Sequence, residues 1–315
     1  MADSSSYLVC NTCGTQHPTP DRATLTTCFI CDDPRQYTPP AGQSFTTLSA
    51  LRAAGDRRND FRPFPGEDDG AAAANPRFTT IVTTPQFAIG QRAVLIRTPR
   101  GNVLWDCVTY LDDETAQRLD ALGGIQAMVI SHPHFYSAHL EWAERFGCKV
   151  YLAAEDKRWL ARRSEEKQVF LEEIETRIEV AGEDTGVRVV KLGGHFPGSL
   201  VLLYEGRLFT ADTLIMTPAG RSNWSVDALG NPRERPKGVN TFSFLWSIPN
   251  MIPLSADEIL RMWKILRNYD FRAAHGLFPG WDIEDEKIKA RVLESMQIQI
   301  RAMGHGEHPL LKESL

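Results

Sequence analysis

Short apolar runs broken by Pro and Gly dominate the chain from residue 78 onward. The runs at 78–82, 93–97 and 103–107 are rich in β-branched side chains, which predicts three strands. Apolar positions then recur at helical spacing over 112–122, and the run 125–130 predicts a buried strand. Beyond it the pattern predicts a helix over 138–146, a strand over 149–152 and a helix over 154–160. A second group of strands is expected at 187–192, 200–204 and 207–210. A helix over 256–268, a strand near 271–274 and a long amphipathic helix from 282 to about 303 close the order. Strands that cluster first and alternate with helices later predict an α+β protein, a helix-covered β-sandwich and not a Rossmann sheet. Neither a Gly-x-Gly-x-x-Gly fingerprint nor a P-loop is present.

Upstream the pattern is weaker. Residues 39–76 are rich in Pro, Gly, Ala, Asp and Arg and include the polar run Gly55-Asp56-Arg57-Arg58-Asn59-Asp60. They read as a connector with at most one short helix, around 46–54. The 315 residues therefore divide into a segment 1–40, a connector 41–75 and a main domain 76–315.

Charge narrows the function classes. Lys and Arg number 35 against 40 Asp and Glu, a net −5, so no domain-wide basic surface points to nucleic acid or acidic lipid. No run of about 18 apolar residues is available to span a bilayer. Met1-Ala2-Asp3-Ser4-Ser5-Ser6 lacks the basic and apolar parts of a secretory leader, so a reducing cytoplasmic setting is expected, with the nucleus also open. The expected partner is a small molecule, not a membrane or a nucleic acid. The informative minority is six cysteines and eight histidines.

Four cysteines stand as Cys10-Asn-Thr-Cys13 and Cys28-Phe-Ile-Cys31. Two residues between thiolates let a tight turn present both sulfurs to one ion, and two such turns complete a tetrahedron. Gly14 suits the turn after Cys13. Two disulfides are the alternative, disfavoured in a reducing compartment. With four thiolates no position is left for water, so this zinc is expected to be structural, supplying folding energy that so small a segment lacks. Residues 1–40 are not basic, which favours a clamp on the larger domain over a nucleic-acid ribbon. Cys107 and Cys148 sit in apolar strand contexts and are expected to be buried structural thiols. His17, His305 and His308 lie in polar or terminal segments and are expected to be solvated.

The strand 125–130 runs into Ser131-His132-Pro133-His134-Phe135-Tyr136-Ser137-Ala138-His139. In extended backbone i and i+2 share a side, so His132 and His134 can hold one ion, and Pro133 stiffens that geometry. A surface turn is the bland alternative. Three further candidates each follow a predicted strand: His195 in Gly193-Gly194-His195-Phe196-Pro197-Gly198-Ser199, Asp212 in Thr210-Ala211-Asp212-Thr213, and His275 in Ala273-Ala274-His275-Gly276.

With these residues the chain resembles the metallo-β-lactamase-fold hydrolases over residues 76–305. The resemblance implies an αββα sandwich whose loops at one edge carry His-x-His-x-Asp-His, a Gly-rich loop with His, then Asp, then His. His132 and His134 resemble the first two ligands, His195 the third, Asp212 the bridging aspartate and His275 the last ligand. Asp106 resembles the family's early structural aspartate. Tyr136 and Ser137 depart from the pattern, standing where the family has Asp and His. That departure implies a degenerate second metal position, with His139 as a candidate replacement on the same helical face.

The function expected from this set is hydrolysis. One zinc on His132, His134 and His195 leaves a position for water, whose pKa falls toward about 7, and the bound hydroxide attacks an ester, lactone, thioester or amide carbonyl. Asp212 would hold that hydroxide or join as a ligand, and His275 or Tyr136 would protonate the leaving group. The loop-like span 213–253, with Trp224, Phe242, Phe244, Trp246 and Pro249, would line an apolar pocket or simply be core. The cofactor expectation is zinc, one ion in the cysteine site and one or two in the histidine site. Two rivals stay open. His132, His195 and Asp212 also suit mononuclear iron(II), as in the superfamily's persulfide dioxygenases. A degenerate fold with its ribbon could also serve as a non-catalytic interaction module.

Overall fold

The computed structural model describes residues 4–64 and 77–315; positions 65–76 of the expected connector lie outside the described residues. The N-terminal ribbon pairs β1 (Leu8–Cys10) antiparallel with β2 (Phe45–Thr47), followed by α1 (Leu48–Ala54). Thr47 caps α1 by accepting from Ala50 N, the side-chain oxygen meeting an amide that has no partner inside the helix.

A seven-stranded sheet follows, formed by β3 (Arg58–Pro63), β4 (Phe78–Thr84), β5 (Ala93–Thr98), β6 (Gly101–Trp105), β7 (Ala127–Val129), β8 (Lys149–Ala153) and β9 (Gln168–Leu171), in that spatial order. Its first three pairings are antiparallel, and its last three are parallel, joined by crossovers through α2 (Asp113–Ala121), α3 (His139–Phe146) and the 3₁₀-helix Ala154–Trp159. The second sheet begins with β10 (Glu175–Val180), β11 (Glu183–Lys191), β12 (Leu200–Tyr204) and β13 (Arg207–Phe209). The chain then leaves it for the short pairs β14 (Ile215–Met216) with β15 (Phe242–Ser243) and β16 (Leu245–Ser247) with β17 (Ile252–Pro253). After α4 (Ala256–Leu266) it returns as β18 (Ala273–His275), parallel to β13, and β19 (Asp282–Glu284), and ends on α5 (Ile288–Ala302).

The run Ala93-Val94-Leu95-Ile96 explains the layering. Successive strand side chains point to opposite faces, so both faces of β5 are buried. Val94 and Ile96 join Val103, Val129, Val189 and Leu202 in a core between the sheets. Ala93 and Leu95 join Leu104, Met128 and Trp142 under α2 and α3. Val201, Leu203 and Leu208 pack under Ile259, Met262 and Trp263 of α4 and Val292 and Met296 of α5. The result is an αββα sandwich. No helix of the described residues is long and apolar enough to cross a membrane.

Four expectations change. Residues 58–63, inside the expected connector, form the edge strand β3, its polar side chains standing on an edge open to water. Strand β9, Gln168–Leu171, is only four residues long and lies between charged segments, and in β10 charged outward positions mask the apolar ones, Ile178 being the one fully buried residue of Glu175–Val180. Residues 154–159 form a 3₁₀-helix, not an α-helix. The last helix begins at Ile288, because Asp282–Glu284 is drawn into strand pairing with Ala273–His275.

Candidate metal centre

His132, His134, His195 and Asp212 all converge at one end of the sandwich, each just past the end of a strand. His132 and His134 follow β7, His195 follows β11 and Asp212 follows β13. Asp106 holds the first loop: its Oδ1 accepts from Ser131 N at 2.7 Å. Burial pushes that carboxyl up to about 7 despite the backbone donor. Ser131 Oγ lies 2.9 Å from His132 Nδ1, so Nδ1–H donating to the hydroxyl leaves the Nε2 lone pair for a metal. The His195 loop needs Gly194, whose φ is +89° and where a Cβ would stand 2.7 Å from Thr213 Oγ1. His195 N in turn donates to Thr213 Oγ1 at 3.3 Å.

The four donor atoms lie within 4.8 Å of one another. Asp212 Oδ2 lies 3.2 Å from His132 Nε2, 3.6 Å from His134 Nδ1 and 3.4 Å from His195 Nε2. His195 Nε2 and His134 Nδ1 are 3.1 Å apart. Metal–nitrogen bonds of about 2.05 Å give a tetrahedral edge of about 3.3 Å, so these separations fit one ion. His132 Nε2, which faces the cluster, is buried with no hydrogen-bond partner, and so is Asp212 Oδ1. A buried nitrogen left unpaired at the centre of such a cluster fits a place built for a bound species. Burial holds His134 below and His195 well below the usual imidazole range, the neutral form that binds metal. Burial alone would raise Asp212, but His132 foremost and then the other imidazoles hold its carboxyl well below the usual range.

The structure corrects the other expected site residues. His275 does not join the cluster. Its Nδ1 lies 2.9 Å from Asp282 Oδ1 and its Nε2 is 3.2 Å from Arg207 Nη1, while its ring packs on Phe64 and Phe209. Both nitrogens are occupied by a buried network that Arg92 completes with a bidentate bond to Asp282. Tyr136 is not among the residues lining the cavity that reaches His134 and Asp212; it lines a different small cavity, between Gln16 of the ribbon and His139 of α3. His139 is no substitute ligand either. Its Nδ1–H donates to Tyr136 O at 2.7 Å, its Nε2 accepts from Gln168 Nε2 at 2.8 Å, and burial pulls its pKa down to about 4. Among the described residues, the groups able to hold a metal are this four-residue cluster and the four cysteines.

At the cysteine site Cys10 Sγ and Cys31 Sγ are 3.7 Å apart, and Cys13 Sγ and Cys28 Sγ 3.6 Å. A disulfide needs about 2.05 Å. A tetrahedral ion with bonds of about 2.3 Å gives an edge of about 3.8 Å, which fits. All four thiols are buried within the core under α2 and α3, so the ribbon is part of the main body. His17, expected in solvent, is buried between Phe29 and Phe45 beside Cys28, while His305 is exposed and His308 caps the C-terminal 3₁₀ turn. Cys107 and Cys148 are buried thiols.

Sequence reasoning missed the ribbon's reach into the centre. Arg35, itself buried, donates from Nη1 to His195 O at 3.3 Å and stacks 4.1 Å over the Phe196 ring. Asp33 fixes it through bonds of 2.8 and 3.0 Å and also accepts from Trp159 Nε1 at 3.0 Å. No spacing rule marks an Asp-Pro-Arg after a cysteine pair as a brace for a histidine 160 residues away. Above the cluster lies a cavity of about 200 Å³ that reaches His134 and Asp212. From the span 213–253 it takes Ile215, Ile248 and Pro249. Phe242 and Phe244 are core, Trp224 sits beside Arg233 elsewhere, and Trp246 packs on Arg35.

Residues 88–250 match the family model of the metallo-beta-lactamase superfamily. Over 298 residues, 92% of this chain and 93% of its relative, the chain is 37% identical to the uncharacterized protein YmaE of Bacillus subtilis (strain 168). Among solved structures it is similar to a B3 metallo-beta-lactamase with an active-site glutamic acid, at 12% identity and a TM-score of 0.44 over 77% of this chain and 96% of that one. It is also similar to a flavoprotein of Thermotoga maritima, at 13% identity and a TM-score of 0.47 over 76% of this chain and 61% of that one.

Proposed function

Because the chain belongs to the metallo-β-lactamase superfamily, we propose that its His/Asp cluster serves a zinc-dependent hydrolase acting on the ester, lactone, thioester or amide carbonyl of a small organic substrate. The observation that carries the reading is the convergence of three imidazole nitrogens and one carboxylate oxygen on one point at the floor of a cavity. A zinc ion held by the three imidazoles, with Asp212 beside its fourth position, would supply a Lewis acid for the carbonyl oxygen and a bound water with a pKa near about 7. The chain's own residues do the rest. Ser131 sets the His132 ring so that Nε2 faces the ion. Asp212 Oδ1, which has no hydrogen-bond partner, would accept a hydrogen bond from that water and orient it. Leu277, Phe278 and Trp281 exclude bulk water from the reacting carbonyl. Zinc is likewise the proposed ion of the four-thiolate site, which has no open position and is structural.

Elemental analysis of the purified chain together with hydrolysis of neutral ester and lactone panels tests this reading. Two zinc ions per chain with measurable turnover is the expected result. Iron in the histidine site with oxygen uptake on a persulfide overturns it in favour of dioxygenase chemistry. A metal-loaded chain inert toward every carbonyl substrate overturns the hydrolase reading as well.

A further inference from the structure

The cavity over the histidine cluster is closed on one side by the ribbon, and we infer that this ribbon wall selects a small uncharged substrate through Thr12, Gln36 and Tyr37. The reaction rests on the hydrolase reading above; the recognition rests on geometry. The main domain contributes mostly apolar wall, including Ile215, Ile248, Leu277, Phe278 and Trp281. Beside the metal-site His134 and the Trp281 indole N–H it adds Gln86, whose amide already donates to Ala88 O at 3.2 Å and Ile89 O at 3.1 Å. Thr12, Gln36 and Tyr37 are different: among the described residues none of their side chains has a hydrogen-bond partner. The ribbon therefore supplies most of the cavity's free neutral donors and acceptors, the Trp281 indole N–H being one from the main domain.

Charge and size define the ligand class. Among the described lining residues there is no Lys or Arg, and Asp212 adds a negative charge. A carboxylate or phosphate remote from the metal would thus meet no counter-charge. The volume of about 200 Å³ falls below the range of about 300–1,000 Å³ typical of drug-sized sites. The wall is held rigid before any ligand arrives. Ser247 Oγ donates to Arg35 O at 3.3 Å, and Asn250 Nδ2 donates to Gln36 O at 3.2 Å. Preorganised polar groups of this kind discriminate strongly against analogues that cannot bond to them.

The test uses the full metal-loaded chain, with Gln36→Ala, Tyr37→Phe and the double variant. Phenyl acetate and its anionic counterpart 4-acetoxybenzoate are the turnover probes. Acetophenone and benzoate, followed by saturation-transfer NMR, report binding without turnover. Tyr37 is half-exposed and Gln36 offers only its side-chain amide, so folding is expected to persist, checked by metal content and thermal melting. Neutral probes should be preferred, and each variant should raise KM roughly three- to tenfold with kcat nearly constant, the worth of one neutral hydrogen bond made equally in ground and transition states. Turnover that is indifferent to both variants overturns the ribbon wall and leaves the hydrolase reading standing. Acetophenone binding that weakens in the variants, without turnover of any ester, does the reverse. Preference for the anionic probes, or neither binding nor turnover, overturns the inference.

Discussion

Replacing Arg35 with Ala removes the brace between the ribbon and the His195 loop. The change deletes two bonds to Asp33 at 2.8 and 3.0 Å, one to His195 O at 3.3 Å, and the stacking on Phe196 at 4.1 Å. The side chains of Arg35 and Asp33 are 8% and 10% exposed, so the pair is not a surface pair screened by solvent. Removing one partner of a buried pair costs about 3–5 kcal/mol, because the other charge is left uncompensated. Asp33 retains Trp159 Nε1, which favours the lower end of that range. Denaturant unfolding of the metal-loaded chain at pH 7 reads the loss as a lower midpoint. The pair Asp33→Asn with Arg35→Met, which leaves no buried charge, should recover most of it. Desolvation acts to raise the Asp33 carboxyl, but its bonds to Arg35 outweigh this and depress it in the folded state. Its stabilisation is therefore fully present above the unfolded pKa of about 3.9 and fades as pH falls through the folded value. The gap between wild type and Arg35→Ala should accordingly narrow in acid. A loss below about 1 kcal/mol at pH 7, or a gap independent of pH, would refute the brace.

Three further outcomes are expected. His275→Gln should leave the metal content of the histidine site unchanged in elemental analysis, because both ring nitrogens are committed to Asp282 and Arg207; a lost ion would restore His275 as a ligand. His132→Ala should remove the ion of that site and spare the four-thiolate ion, so the content drops from two per chain to one. Gly194→Ala should cost about 1–3 kcal/mol in thermal unfolding, since a Cβ would be forced into a left-handed backbone against Thr213.

The four converging residues were legible because each stands immediately after an apolar strand, and local periodicity marks strand ends well. The cysteine pairs were legible because their spacing alone defines a chelating turn. His275 shows the limit. It too ends a strand, but whether such a side chain reaches the edge or stays within a layer depends on Arg92 and Asp282, 190 positions apart. The cost of leaving their charges unpaired draws the histidine into the network, and no local spacing encodes that. Strand β3 and the burial of His17 escaped for a related reason. Polar sequences at a sheet edge or a ribbon seam take their partners from distant segments, Asn59 from Tyr110 and His17 from Phe45.

The brace also orders events during synthesis. Arg35 meets a carbonyl 160 positions later and a serine 212 positions later. At about 5–20 residues per second, the ribosome needs roughly 10–40 s to deliver the second of these. The thiolate knuckle, whose ligands span 22 residues, can close on its ion long before that. The knuckle can thus close before its brace exists, and that brace can form only once residue 247 has been made.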